Sequence, residues 1–218
     1  MLFPAASARM TDIWHVIGLR GTASDSYSVT DLFVPGDYAL ARDDQSERRQ
    51  PGALYCFPIG NLFASGFAGV ALAVARASLD DFVGLARDKT PRGMSRALRE
   101  SAVVQSQVGQ CEARLRSARG FLLASLEAIW RDVGRLGVLS LDQRVTIRMA
   151  ATNATQQATD VVDVVYHAAG GTAVFQSNPF ERRFRDIHTV TQQLQGRLAH
   201  FETVGQYLRG LEPDTTWL

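Results

Sequence analysis

The feature that most restricts how this chain can fold lies in its middle third. Apolar or small residues fall at Val104, Val108, Cys111, Leu115, Ala118, Leu122, Leu126, Ile129, Val133 and Leu136, in steps of three and four throughout. That spacing is the period of a helical seam packed along nearly parallel neighbours, not the period of two that a strand would need. A helix from about Ser95 to Leu136 would be on the order of 60 Å long at 1.5 Å per residue. Such a length is sustained where several long helices share one core, which predicts a mainly α fold built on an elongated antiparallel four-helix-type bundle.

Neighbouring segments supply the partners. A helix is expected from Asn61, read as its cap, to about Lys89, where Thr90-Pro91-Arg92-Gly93 stops it. Its small residues Ser65, Gly69 and Ala73 recur every four positions and permit a close helix crossing. A third helix runs from about Leu141 to His167 and ends at Gly170-Gly171. Asn153, Thr155, Gln156, Gln157 and Thr159 make its centre polar, and Val161, Val162, Val164 and Val165 favour a strand locally. In the fourth, Asn178 is a suitable N-cap, Pro179 fits the first helical position and Glu181 is placed as in a capping box. Phe180, Phe184, Ile187, Thr191, Leu194 and Leu198 then continue the three-and-four spacing, and a short helix from about Phe201 to Arg209 follows. Upstream, Trp14–Leu19 and Tyr27–Val34 are β-branched and aromatic and read as two strands. Residues 1–40 are therefore a small β unit, 41–54 a polar linker and 55–218 the helical domain.

With 46% hydrophobic and 21% charged residues the composition is that of an ordinary globular chain. Twenty-three basic and 22 acidic side chains leave +1, so no net field draws the whole protein to nucleic acid or to anionic lipid. Every basic residue except Lys89 is an arginine. Two cysteines, Cys56 and Cys111, exclude a disulfide framework and a Cys-rich metal site and fit a reducing cytoplasm. The chain opens without a basic signal-peptide n-region, and its most apolar stretch, Leu62–Ala75, is shorter than the roughly 20 residues of a membrane span. A soluble, cytoplasmic protein with no membrane partner is expected. The four histidines, His15, His167, His188 and His200, lack ligand spacing, and Glu-x-x-His pairs, phosphate-binding P-loops and nucleophile elbows are absent from the sequence, so no metal site is expected.

One region does carry chemistry. Gly170-Gly171-Thr172 would let a backbone approach a ligand closely, and a capped helix start eight residues later would present free N–H groups to an anion. Arg182, Arg183 and Arg185 add guanidiniums suited to bidentate phosphate contacts. This is a candidate phosphate or diphosphate site. The competing reading is a helix stop, a loop and a solvated Arg-rich first turn.

Trp14-His15-Val16-Ile17-Gly18-Leu19-Arg20-Gly21-Thr22-Ala23-Ser24-Asp25-Ser26-Tyr27, followed by Asp31-Leu32-Phe33-Val34-Pro35, resembles the end of the middle β-domain of the acyl-CoA dehydrogenase superfamily. Gly170-Gly171 with Asn178-Pro179, Arg182 and Arg185-Asp186 resembles its late signature. Thr191-Gln192-Gln193-Leu194-Gln195-Gly196-Arg197 is most similar to the branch of flavin-dependent hydroxylases acting on aromatic or heterocyclic substrates. The resemblance implies a flavoprotein oxidoreductase that holds FAD, or FMN, with Gly170, Gly171 and Thr172 approaching the adenosine diphosphate portion across a subunit interface. It implies a homo-oligomer, dimer or tetramer, and for a monooxygenase a separate flavin reductase. It also implies Asp186 holding Arg185 as a structural pair, and places Arg20 and Ser24 on the flavin side of the β-domain. Only the C-terminal half of the family is covered, so a chain carrying the N-terminal half is a further expected partner. Where many dehydrogenases place a catalytic glutamate and related monooxygenases a histidine, this chain has Gln193. Ala23 replaces a usual glycine. His188 is the nearby side chain that titrates near neutrality and is the candidate acid or base. The rival reading is a helical assembly module that has lost flavin chemistry; arginine-mediated nucleic-acid binding is disfavoured by the charge balance.

Overall fold

The computed structural model describes residues 1–41, 44–216 and 218. Five α-helices make the bundle: α1 (Ile59–Asp88), α2 (Ala102–Leu136), α3 (Leu141–Ala169), α4 (Pro179–Gln192) and α5 (His200–Leu208). Helix α3 is central and packs against α1, α2, α4 and α5. Its core contact with α1 is built from alanines, Ala64, Ala68, Ala71 and Ala75 on one side and Ala150, Ala151, Ala154 and Ala158 on the other, all essentially inaccessible. The seam read on α2 buries Val104, Cys111, Leu115, Ala118, Leu122, Ile129 and Val133, with Val108 and Leu126 half-buried. Leu136, at the helix end, is exposed. Helix α1 is long and apolar enough on average to match a membrane span, but its alanine face belongs to the bundle core.

Caps explain several boundaries. Ser101 Oγ accepts from Val104 N–H and starts α2 seven residues after the expected point; the intervening chain contains a 3-10 turn at Leu98–Glu100. Gly137 ends α2 with φ +75°, a conformation that suits glycine. A reciprocal capping box of Ser140 and Gln143 opens α3. Asn61 is not a cap. It lies within the first turn of α1, fully buried, and its amide donates to Arg144 O at 3.2 Å. Nor does Asn178 cap α4 through its side chain, and the Glu181 carboxylate pairs with Arg185 Nε at 2.7 Å instead of turning back to complete a capping box. Helix α4 stops at Gln192, so Leu194 falls in a 3-10 turn (Leu194–Gly196) and Leu198 is exposed. The valines of α3 are helical, since burial against the core overrides their strand propensity. Two of its threonines are satisfied locally, Thr155 Oγ1 donating to Ala151 O and Thr159 Oγ1 to Thr155 O, whereas Thr152 Oγ1 is buried without a partner.

The expected strands are displaced. A two-stranded antiparallel sheet pairs β1 (Arg9–Thr11) with β2 (Ser26–Ser28), and Trp14–Leu19 is not a strand. That segment is held on α4 instead. Leu19 N–H donates to Asp186 Oδ1 at 2.7 Å, Arg185 Nη1 donates to Ile17 O, and Trp14 Nε1 donates to Leu19 O. Gly18 lies so close that a Cβ would collide with the Arg185 carbonyl. Asp186 therefore holds Leu19 rather than Arg185, whose ion-pair partner is Glu181.

Two predictions follow from this packing. Gly18→Ala must push the N-terminal segment off α4 and is expected to destabilise by about 1–3 kcal/mol in urea unfolding, as other overpacking changes do, whereas Gly21→Ala, with open space around it, should not. His200 is buried with Nε2 2.7 Å from Leu194 O, and burial, then the charge of Arg148, pulls its pKa below the ordinary 6.5. The folded protein thus keeps this ring neutral while the unfolded chain protonates it first, so stability should fall as pH drops below about 6.5. Thermal unfolding across that range should show the loss in the natural chain and a smaller one in His200→Gln.

Candidate functional site

The double-glycine turn forms where α3 ends. Gly170 takes φ +56° and leads into a 3-10 turn over Gly170–Val174, with Ala173 buried beneath it. Nothing lies within 4 Å of where a Cβ on Gly171 would sit, so its backbone faces open space. The turn is fastened by the single lysine of the chain. Lys89, just past the end of α1, donates from Nζ to Ala169 O at 2.5 Å and to Thr172 Oγ1 at 2.7 Å. Its charge also sits against the negative end of the α3 dipole. An ammonium has three N–H donors, so one remains beyond these two bonds.

The three arginines of α4 do not converge. Arg183 Nη1 reaches back to α1, to Ala77 O at 3.0 Å and to Asp81. Arg185 is engaged by Glu181 and Ile17 O. Arg182 is exposed and makes no hydrogen bond or ion pair among the described residues. The carboxyl of Glu181 is held below its usual range chiefly by its bond to Arg185.

His188 sits beside α3. Its Nε2 is 2.9 Å from Asp163 Oδ1, and its ring meets Phe184 edge-on at 4.4 Å. Phe184 in turn stacks on Tyr166 at 4.3 Å. An imidazole oriented by a carboxylate with its other nitrogen available is a competent proton-handling unit. Asp163, two turns before Gly170, puts the pair at the same end of the bundle as the double-glycine turn. Arg20 and Ser24 fall in the exposed loop between β1 and β2.

A different cavity, of about 490 Å³, opens at the opposite end of α3. It is bordered by the first turn of α1, by Val138 and Leu139, and by Arg144, Gln193, Gln195 and Thr216. Gln193 is no free proton-transfer group, since its Oε1 accepts from Gln195 N–H at 2.6 Å. Under the cavity Arg148, completely buried, donates to Gln195 Oε1 at 2.5 Å and to Gly60 O at 3.4 Å. Among the described residues no group of three or more His, Cys, Asp or Glu is placed to hold a metal ion. Sequence reasoning missed Lys89, Asp163, Tyr166, Arg144 and Arg148. Lys89 alone carried a visible signal, a solitary lysine among arginines beside a helix stop.

Residues 65–195 match the acyl-CoA dehydrogenase, C-terminal domain family. An indole-3-acetate monooxygenase of Pseudomonas putida is 27% identical over 212 residues, covering 97% of this chain and 54% of the relative. The oxygenase component of an FADH2-dependent resorcinol hydroxylase from Rhizobium sp. is 26% identical, covering 98% of this chain and 56% of that one. XiaF from Streptomyces sp., solved in complex with FADH2 and glycerol, superposes with a TM-score of 0.89 at 23% identity, over 100% of this chain and 57% of its own. The chain spans about half the length of the curated relatives it matches.

Lys89→Met removes the clamp on the double-glycine turn. Amide hydrogen exchange over residues 170–174 should accelerate, with a global cost of about 1–3 kcal/mol for the charged hydrogen bonds lost. Unchanged exchange there would show that the turn holds its shape without Lys89.

Proposed function

Because this chain belongs to the acyl-CoA dehydrogenase C-terminal domain family, we propose that it is the flavin-holding and assembling half of a flavin-dependent monooxygenase acting on an aromatic or heterocyclic substrate. The observation that carries the reading is the open, Lys89-fastened turn at Gly170–Thr172. A backbone without side chains on its outer face, a spare ammonium N–H and the unengaged Arg182 fit the diphosphate of FAD better than the single phosphate of FMN. Arg183 and Arg185, taken up by Asp81 and Glu181, act there through the shape of α4 more than as ligands. Bound reduced flavin supplies the electrons for oxygen activation. His188, oriented by Asp163, is the group assigned to hold or deliver a proton at this end of the bundle.

The turn and the cavity beside Gln193 lie at opposite ends of α3, about 40 Å apart along the helix at 1.5 Å per residue. One flavin cannot join them within a protomer, which supports an oligomer in which each centre takes the turn from one subunit and the cavity from another. Exposed Phe63, Val70 and Leu123 on α1 and α2 give such an assembly apolar surface to cover. Electrons would come from a separate flavin reductase, and the family's N-terminal half from additional chain. The second reading, an assembly module without flavin chemistry, is favoured by Gln193, which places a non-titrating amide at the cavity.

The test is a visible absorption titration of the purified protein with FAD and with FMN, after removal of free flavin. A retained flavin band is expected, stronger for FAD and weakened by Lys89→Met. An intact oligomer that retains neither flavin would overturn the proposal in favour of the assembly module.

A further inference from the structure

The cavity at the start of α3, about 490 Å³ in volume, is bordered on one side by the chain that follows α5, through Thr215, Thr216 and Leu218. Helix α5 itself is fixed. Val204 is buried, and Tyr207 Oη donates to Asp142 Oδ1 at 3.2 Å, which ties α5 to the first turn of α3. Beyond α5 the attachments thin out. Gly210 takes φ +73° with open space around it, a conformation that suits glycine and a point about which the chain can swing. Leu211, Glu212 and residues 214–216 are exposed, with Pro213 buried between them. This stretch keeps its own shape, because Asp214 Oδ1 accepts from Thr216 N–H and Oγ1 at 2.9 and 2.6 Å. Its far end is seated twice. The Leu218 side chain is buried with Val145 and Val204, and Arg144 Nη2 donates to the main-chain oxygens of Leu218 and Thr215 at 2.8 and 3.3 Å. Arg144 stands on a firm base, since its carbonyl accepts the buried Asn61 amide of α1.

A short exposed turn hung between a glycine and a guanidinium belongs to the part of a molecule that opens locally before anything else does. We propose that residues 211–218 are a strap that gates this cavity, swinging on Gly210 and latched by Arg144 and Leu218. Closed, the strap walls off one side of the cavity; released, it opens the way in from solvent. Arg144 is then a positioning residue that holds the strap, not a ligand for what the cavity admits. The gate is independent of whether the turn at Gly170–Thr172 holds a flavin.

Cys56 reports on the gate. It borders the cavity, is 2% exposed, and its sulfur accepts from Arg48 Nη1 at 2.7 Å. Cys111, buried on α2 in the bundle core, is the internal control. Both thiols are alkylated with iodoacetamide under native conditions and followed by peptide mass spectrometry. Cys56 should react slowly in the natural chain and about tenfold faster in Arg144→Met, the scale of one charge-assisted hydrogen bond. Deletion of residues 211–218 should accelerate it further, and Arg144→Lys, which keeps a donor, should stay near the natural rate. Cys111 should not change, and thermal unfolding should show each variant folded. If the deletion does not fold, Leu218→Ser carries the same expectation. A Cys56 rate unmoved by loss of the strap would overturn the proposal, as would a rate that Arg144→Met leaves untouched. Acceleration of Cys56 and Cys111 together would mark a loosened bundle and overturn it equally.

Discussion

The close contact between α1 and α3 governs the rest of the molecule. Eight alanines line it, side chains small enough to permit a close helix crossing. With α1 seated, α3 becomes a central post that also meets α2, α4 and α5. Burying a 29-residue helix on so many sides fixes both of its ends. Those ends carry the two candidate sites: at one, the turn fastened by Lys89, and at the other, the cavity bordered by Arg144.

Most polar side chains inside this post meet a partner, although Thr152 Oγ1 and Arg144 Nε are buried without one. Threonines back-bond along α3, Gln156 donates to Gly196 O, and Arg148 reaches Gln195 and Gly60. These bonds lash the Leu194–Gly196 turn to the core, and His200 closes it from α5. The same economy appears on α4. One face enters the core through Phe180, Ile187 and Val190, while Arg185 and Asp186 grip the backbone of residues 17–19. The N-terminal segment is thus an attachment to α4, positioned by two side chains and the absence of a Cβ at Gly18.

Much of the bundle was legible because helical seams depend on local spacing. The α2 seam, the ends of α3 and the length of α1 follow from periodicity and from glycine or proline stops. Features that depended on a distant partner were not legible. Asn61 looks like a cap until Arg144 arrives to accept its amide, and Glu181 looks like half of a capping box until Arg185 competes for it. The capping signal that does operate, Ser140 with Gln143, was equally readable in the chain. Trp14–Leu19 has strand-like residues, yet contact with α4, 167 residues away, decides its conformation. At the candidate site the glycines and arginines could be listed from sequence. Which arginines were already spent on Asp81 and Glu181, and that Lys89 and Asp163 would join the site, required three dimensions.

The central claim is that the end of α3 holds the flavin's diphosphate. Crystals of the protein grown with FAD would test it most directly. The account predicts difference density for the diphosphate against the backbone of Gly170–Thr172, within reach of Lys89 Nζ, with the ring end directed towards a neighbouring subunit. Flavin density ordered elsewhere, with that turn bare, would contradict it.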